Sequence, residues 1–150
     1  MKKGYSELLL LDVNVLLALA WPNHQFHKMA TRRLEQHKGH WATCALTQLG
    51  FIRLSSNPAV VGLPKSPWEA ASLLALLIQD ARHRYLDSLP SPTTQPFLQC
   101  FEQIPGTKQV TDAYLVTLAR QNQATLLTFD SRLASFPRAE GVIAVLSASS

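Results

Sequence analysis

The chain has few of the residues that would cross-link it or bind a soft metal. Only two cysteines, Cys44 and Cys100, occur in 150 residues, and they do not form a Cys-x-x-Cys pair. This spacing gives no sign of a disulfide framework or a zinc site, and the apolar surroundings of each cysteine predict two buried free thiols. Free thiols of this kind are typical of a reducing cytoplasm.

Long apolar runs are also missing. Lys2 and Lys3 followed by apolar residues up to Ala20 imitate a signal peptide. Asp12 interrupts this segment, and a central Asp costs on the order of 3 kcal/mol on membrane-insertion scales. The remaining apolar runs are too short to cross a bilayer. We therefore expect no membrane association and no secretion.

A glycine-rich phosphate loop is absent as well, which argues against the nucleotide-binding folds that depend on one. A phosphoaspartyl transferase is disfavoured for a related reason. Such enzymes often pair two acids as Asp-x-Asp after the first strand, and here Asn14 stands where the second acid would be. A receiver-type domain would need adjacent acids beside Asp12, and the sequence has none.

The composition is that of a packed globular protein, with 47% hydrophobic and 16% charged residues. A chain of this length buries roughly 70% of the surface that it exposes when unfolded. No repeat, linker or low-complexity tract divides it, so we expect a single domain over residues 1–150. The net charge of +4 is compatible with a polyanionic partner but is weak support for one.

Strand patterns alternate with helix patterns along the chain. Strands are predicted at 7–13, 41–45, 85–87, 124–130 and 142–146. Helices are predicted at 14–20, 24–37, 47–54, 67–82, 95–103 and 111–121, with a loop at 57–67. Thr47 and Thr111 are expected to cap their helices, and the helix over 67–82 to be largely buried. This alternation predicts an α/β fold with a parallel sheet and helices on both faces.

Three acids occupy informative places in this pattern. Asp12 and Asp130 end predicted strands, and Asp112 opens a predicted helix. In a parallel sheet these positions meet at one edge, and carboxylates gathered there suit Mg²⁺ or Mn²⁺. Such a metal site can hydrolyse a phosphodiester. Asn14 and Thr128 support it, since Thr128 shares a strand face with Asp130 and its hydroxyl can orient a carboxylate or a water.

The alternative is that Asp12 and Asp112 are ordinary acids at helix N-termini, where acids are favoured. That explanation is preferred for either residue alone. We prefer a shared site because all three acids occur at matching edges.

Four segments together resemble PIN-domain ribonucleases, specifically toxins of the VapC type. They are Leu-Asp-Val-Asn at 11–14, Thr-Gln-Leu-Gly-Phe-Ile-Arg at 47–53, Thr-Asp-Ala-Tyr-Leu at 111–115 and Leu-Thr-Phe-Asp at 127–130. The resemblance implies a three-layer α/β/α sandwich, metal-dependent endoribonuclease activity on RNA, and a homodimer. It also implies neutralisation by a cognate antitoxin protein. By the same resemblance Asp12 and Asp112 are metal ligands, and Asp130 is the further acid of the metal-binding cluster.

One position departs from the family pattern. Gln48 stands where these proteins usually have Glu. A glutamine oxygen can still bind a water or a metal, but it carries no charge and accepts no proton as a base. We therefore expect weaker metal binding, and the alternative function is a catalytically weak module that binds RNA or a protein partner.

The histidines and some arginines allow other interpretations. His24, His27, His37 and His40 cluster near one predicted helix, but they are mixed with Lys and Arg and have no carboxylate partners. A solvated basic face is the preferred interpretation over a metal site. Arg53 and Arg82 are candidates for contacts with phosphate or with the antitoxin, and the sequence does not choose between these roles.

Overall fold

The structure is a computed structural model that describes residues 7–58, 62–63, 65–137 and 139–147. In this part of the chain five strands form one parallel sheet in the order β3-β2-β1-β4-β5. The strands are β1 (Leu8–Leu11), β2 (His40–Cys44), β3 (His83–Leu86), β4 (Thr125–Thr128) and β5 (Ile143–Val145). The helices are α1 (Val13–Ala20), α2 (His27–Gln36), α3 (Ala45–Ser55), α4 (Pro67–Leu77) and α5 (Val110–Gln121). Three 3-10 turns lie at Leu98–Phe101, Thr107–Gln109 and Ser131–Ser135.

Helices cover both faces of the sheet, as the alternating pattern predicts. Leu9 and Leu11 of β1 pack into a core cluster with α1, α2, α3 and α4. Leu10 packs into a second cluster with α5 on the opposite face. Successive strand residues point to opposite faces, so a continuous apolar run is the pattern of a strand buried on both sides. The predicted three-layer sandwich is confirmed.

The N-terminal apolar segment is divided between a strand and a helix. Leu8–Leu11 forms β1, and α1 begins at Val13 directly after Asp12. Both elements contribute to the core, which accounts for their hydrophobicity. Among the helices of the described residues, none combines the length and the apolar character needed to cross a membrane.

Two predicted helix caps are wrong. Helix α3 begins at Ala45 after Cys44, so Thr47 lies inside its first turn, where its hydroxyl bonds to the backbone N and O of Cys44 at 3.1 Å. Helix α5 begins at Val110 after Gln109, so Thr111 also lies within the helix. In each case the chain turns into the helix earlier than the position of the threonine suggests.

Several other boundaries also differ from the predictions. Helix α4 ends at Leu77 and buries only Ala70 and Leu74 among its residues, while Trp68 is 77% exposed. Over 95–103 the structure has only the 3-10 turn Leu98–Phe101. The free thiol of Cys44 is buried as predicted, whereas Cys100 is half-buried. Parts of the predicted loop over 57–67 lie outside the described residues.

The carboxyl ends of the central strands lie side by side at one edge of the sheet. The backbone N–H of Asp12, just after β1, donates to the carbonyl of Leu127 in β4 at 2.9 Å. On the other side of β1, α3 packs close to the start of α1. A side chain built on Gly50 would place its Cβ 2.8 Å from Cγ2 of Val13. Gly50 therefore allows α3 to approach the residue that follows Asp12.

Candidate active site

Asp12 is a buried carboxylate that is held from two sides. It is the N-cap of α1, where its Oδ1 accepts from the backbone N–H of Val13 at 2.8 Å, and its side chain is 8% exposed. Its Oδ2 accepts from the hydroxyl of Thr128 at 2.7 Å. Burial raises the pKa of Asp12, and these two hydrogen bonds oppose the rise. The capping interpretation therefore applies to this residue, and its second oxygen is held by Thr128 at the acidic edge of the sheet.

Thr128 ends β4 and links two of the predicted site residues. It is fully buried, donates to Asp12 and accepts from the backbone N–H of Asp130 at 3.0 Å. When a hydroxyl donates to a carboxylate, it fixes the direction in which the remaining lone pairs of the carboxylate point. Thr128 thus acts as a positioning residue for Asp12, which is the role that the strand pattern suggests.

Replacing Thr128 by Val keeps the shape of the side chain and removes the hydroxyl. We expect Mn²⁺ affinity and RNA cleavage to fall roughly tenfold, at the lower end of the effect of losing a residue that orients a metal ligand. Isothermal titration with Mn²⁺ and a cleavage assay would measure both effects.

Thr128→Ser keeps the hydroxyl and should retain most of the affinity. Thr117→Val, a matched change in α5 where the hydroxyl bonds only to the carbonyl of Ala113, is the control. Equal losses in Thr128→Val and Thr117→Val would contradict the positioning role.

Asp112 lies in the first turn of α5, with its side chain half-buried. Burial, followed by the negative charges of Asp12 and Asp130, raises its pKa to about 6, and the nearby guanidinium of Arg132 opposes the rise. The repulsion shows that the three acids lie close enough to interact electrostatically. A carboxyl whose pKa is raised by burial and by neighbouring negative charges is a candidate functional group, and a bound cation would relieve the repulsion.

Asp130 has a different environment from the other two acids. It precedes the 3-10 turn Ser131–Ser135 and is paired with Arg132, whose Nε and Nη2 donate to Oδ1 and Oδ2 at 3.0 and 2.8 Å. Hydrogen bonding to this arginine lowers the pKa of Asp130. Asp130 is therefore ionised and already neutralised by a cation, whereas Asp12 and Asp112 lack such a partner among the described residues.

The donor set fits a small number of direct metal contacts. Among the described residues no three His, Cys, Asp or Glu side chains stand close enough to form a ready-made cluster. Mg²⁺ is commonly bound by one or two carboxylates, with water and substrate phosphate completing the six positions. Asp12 and Asp112 supply two such carboxylates, and their mutual repulsion is what a divalent cation relieves.

A cleft opens beside these acids. It has a volume of about 290 Å³ and contains Asp112, Asp130 and Arg132. The other lining residues are Gln103, Pro105, Gln109, Leu133, Ser135, Phe136 and Pro137. A second hollow of about 180 Å³, which includes Cys100 and Arg120, shares Phe136 and Pro137 with this cleft and contains none of the predicted site residues. The cleft beside the acids is the one that a substrate of this site would enter.

Gln48 is near the same edge of the sheet, but its amide is engaged elsewhere. It lies in the first turns of α3, and its Nε2 donates to the hydroxyl of Thr43 at 3.0 Å. The hydroxyl of Thr43 lies 2.8 Å from Nε2 of His83 on β3. Which of the two donates depends on the tautomer of His83, and burial lowers the pKa of this histidine.

The remaining predictions have separate outcomes. Asn14 is exposed in the first turn of α1. The histidines are used structurally: His27 Nδ1 lies 2.7 Å from the carbonyl of Ala18, and His37 Nε2 lies 2.6 Å from that of Glu7. Arg82 donates to the carbonyls of Leu34 and His37 at the end of α2, so its role there is to satisfy a helix terminus.

Two features of the site were not found from the sequence. One is Arg132, whose position two residues after Asp130 at the end of a strand was an available signal. The other is the chain from Gln48 through Thr43 to His83. Its first hydrogen bond joins residues that are five positions apart, and its second joins residues that are 40 positions apart. No sequence motif indicates either bond.

The fold and this acidic edge define a class of protein. The family model described as "PIN domain" matches residues 9–139, which include all of the predicted site residues. The chain belongs to the PIN-domain family. Its similar curated proteins include Ribonuclease VapC39 of Mycobacterium tuberculosis, which is 37% identical over 139 residues that cover 91% of this chain and 98% of the relative. Ribonuclease VapC38 of the same species is 39% identical, with coverage of 81% and 84%.

Solved structures agree with this fold. The crystal structure of Mycobacterium tuberculosis VapC20, described as a Sarcin-Ricin loop cleaving toxin, has a TM-score of 0.61 at 15% identity. That match covers 88% of this chain and 98% of the VapC20 chain. VapBC2 from Rickettsia felis, bound to a DNA fragment from its promoter, has a TM-score of 0.63 at 15% identity, covering 93% and 99%. At these identities the likeness shows the fold alone.

Proposed function

We propose that this protein is an endoribonuclease and the toxin of a toxin–antitoxin pair, using Mg²⁺ or Mn²⁺ to hydrolyse RNA phosphodiester bonds. The observation that carries the proposal is the pair Asp12 and Asp112 at one edge of the sheet, with the pKa of Asp112 raised to about 6. The pair lies within the matched PIN domain, whose relatives at 37–39% identity are named ribonucleases.

Asp12 and Asp112 are the direct metal ligands in this proposal. Asp130 is held by Arg132, and its Oδ2 keeps a lone pair that can accept from an ordered water, whereas Oδ1 already accepts from both the backbone N–H and the Nε of Arg132. When bound, a divalent ion polarises the scissile phosphodiester and the attacking water. Mn²⁺ shares the preference for oxygen ligands, so both ions should support activity.

The chain's own residues supply orientation. Thr128 donates to Asp12 Oδ2 and the backbone of Val13 donates to Oδ1, so the carboxylate is fixed before substrate arrives. Asp112 lines the cleft in a half-buried position, which reduces its contact with water and strengthens its interaction with any cation there. Asn14 is exposed beside Asp12 and serves as a polar contact for a water or the RNA.

The partners follow from the same proposal. Two of the similar structures are described as a toxin–antitoxin complex from Klebsiella pneumoniae and as VapBC2. We propose that a cognate antitoxin binds this chain and that the chain acts in the cytoplasm as a homodimer of single-domain subunits. Size-exclusion chromatography with light scattering would test the dimer, and co-purification with a co-expressed antitoxin would test the partner.

An RNA cleavage assay separates the nuclease from a module that only binds. Purified protein is incubated with total RNA in Mg²⁺, Mn²⁺ or EDTA, beside Asp112→Asn as the inactive control. We expect fragments with either metal and intact RNA in EDTA and with the variant. Intact RNA under every condition, together with retained RNA binding, would favour the catalytically weak binding module that Gln48 suggests.

Gln48→Glu tests the departure from the family pattern. We expect the variant to cleave RNA at lower Mg²⁺, with a titration midpoint reduced several-fold, because it adds a negative charge at the metal-binding edge of the sheet. The measurement is initial cleavage rate against Mg²⁺ concentration. Gln36→Glu adds the same charge at the exposed C-terminal end of α2 and should leave the midpoint unchanged. An unchanged midpoint in Gln48→Glu would contradict the expectation that the missing charge weakens metal binding.

A further inference from the structure

Arg132 is the charged side chain of the cleft that the acid site does not explain. It lies in the 3-10 turn that follows β4, and its side chain is 76% exposed although it is paired with Asp130. We propose that Arg132 forms a phosphate-binding site for the RNA backbone, and that Asp130 is the positioning residue that holds its guanidinium. This inference rests on the proposed function, because it takes RNA as the substrate.

The pairing leaves one edge of the guanidinium available. Asp130 accepts from Nε and Nη2 of Arg132 at 3.0 and 2.8 Å, and its Oδ1 also accepts from the backbone N–H of Arg132 at 3.0 Å. A guanidinium has five N–H groups. Two are directed at Asp130, so both N–H groups of Nη1 and the second of Nη2 face away from it. That edge has the fork shape that binds a phosphate through two parallel hydrogen bonds.

The free edge of the guanidinium lies where it can bind a phosphate beside the acids. Arg132, Asp112 and Asp130 line the same cleft, and Arg132 is the only cation among the described residues that line it. The carboxylates that line the cleft repel a polyanion, and a fixed positive charge beside them would offset that repulsion for RNA. A phosphate bound by Arg132 would lie beside Asp112, where the proposed chemistry takes place.

Stability alone is a weak explanation for this ion pair. Exposed pairs contribute roughly 0–1 kcal/mol, and Asp130 already caps the 3-10 turn through the backbone N–H of Arg132. Replacing the Arg132 side chain should therefore leave the fold intact, and loss of RNA binding can be attributed to the missing guanidinium.

RNA binding in EDTA tests the site without cleavage. Fluorescence anisotropy of a short labelled oligoribonucleotide is measured over a series of salt concentrations. For Arg132→Gln we expect several-fold weaker binding and a slope of log K against log salt that is smaller by about 0.7, the value for one lost phosphate contact on a single strand. Arg132→Lys should restore the slope but only part of the affinity, since lysine lacks the planar fork.

Arg84→Gln is the matched control, because it removes the same charge from the exposed surface of β3 at the far edge of the sheet. Equal effects in the two Gln variants, or a wild-type slope in Arg132→Gln, would overturn the proposal. Mn²⁺ titration of Arg132→Gln should give an affinity no weaker than that of the wild type. A weaker one would mean that Arg132 acts by positioning the acids of the metal site instead.

Asp130→Asn tests the positioning role by the sign of its effect. Removal of a negative charge should, by charge alone, tighten RNA binding in EDTA. If Asp130 holds Arg132 in place, binding weakens instead, and tighter binding would overturn this part of the proposal. The failures are distinguishable. Protein that binds RNA through Arg132 but never cleaves it would contradict the nuclease alone, whereas cleavage with binding independent of Arg132 would contradict the phosphate site alone.

Discussion

Asp112→Asn should abolish metal-dependent RNA cleavage and at the same time make the metal-free protein more stable at pH 8. Residues that only orient metal ligands cost 10–100-fold when they are changed, so loss of a direct ligand should cost more than about 100-fold. The gain in stability has a separate cause. Burial and the charges of Asp12 and Asp130 raise the pKa of Asp112 to about 6, so its ionised form is unfavourable in the folded protein. Asparagine has nearly the same shape and removes that charge.

The measurements are initial cleavage rates in Mg²⁺ and denaturant unfolding in EDTA. Asp87→Asn is the matched control. Asp87 is an exposed acid directly after β3, so this substitution removes the same charge outside the site. It should leave both the rate and the free energy of unfolding close to wild type. Cleavage by Asp112→Asn at more than a tenth of the wild-type rate would remove Asp112 from the set of metal ligands.

The stability of the metal-free protein should depend on pH through the same residue. The folded protein holds the Asp112 proton more tightly than the unfolded chain, because the pKa of this group rises from its ordinary 3.8 to about 6. Its contribution is therefore fully present below pH 3.8 and is lost as pH rises through 6. Asp12 acts in the same direction, since burial raises its pKa as well. For Asp112 we expect a loss on the order of 1 kcal/mol once partial exposure is counted.

Other groups titrate nearby, so the comparison must isolate Asp112. Burial lowers the pKa values of His24 and His83 below their ordinary 6.5. The folded protein therefore gains stability from these two groups as pH rises towards 6.5. The informative quantity is the free energy of unfolding of Asp112→Asn minus that of wild type in EDTA. This difference should grow between pH 4 and pH 7. Saturating Mg²⁺ should remove or reverse it at pH 7, and a difference that stays flat with pH would contradict the raised pKa.

The positions of the acids could be predicted because they depend on local patterns. The apolar run Leu8–Leu11 indicates a strand buried on both faces, and parallel strands place the residues after their carboxyl ends together. This reasoning located Asp12, Asp112 and the partnership of Thr128 with the acids. It was wrong about the caps at Thr47 and Thr111, because the start of each helix depends on how the preceding segment enters it.

The partner of each site residue could not be predicted in the same way. Sequence reasoning placed Asp130 in the acid cluster as its further acid, without the partner that sets its charge: Asp130 is paired with Arg132, whereas Asp12 is buried beside Thr128. It considered the charge that Gln48 lacks and the oxygen that it keeps, but it gave no sign that the amide nitrogen donates to Thr43. In both cases the chemistry depends on which polar atoms lie within about 3 Å, and residue type and spacing do not specify that distance.

The sequence by itself determined the class of fold, the edge of the sheet where the acids gather and the residue types available there. These follow from periodicities of 2 and 3.6 residues and from the direction of parallel strands, which act over a few neighbouring residues. The tertiary structure alone decided that Thr128 donates to Asp12, 116 positions away, and that Arg132 pairs with Asp130 in the cleft. Burial and charge at an atom are set by every segment that packs around it, and only the folded chain brings those segments together.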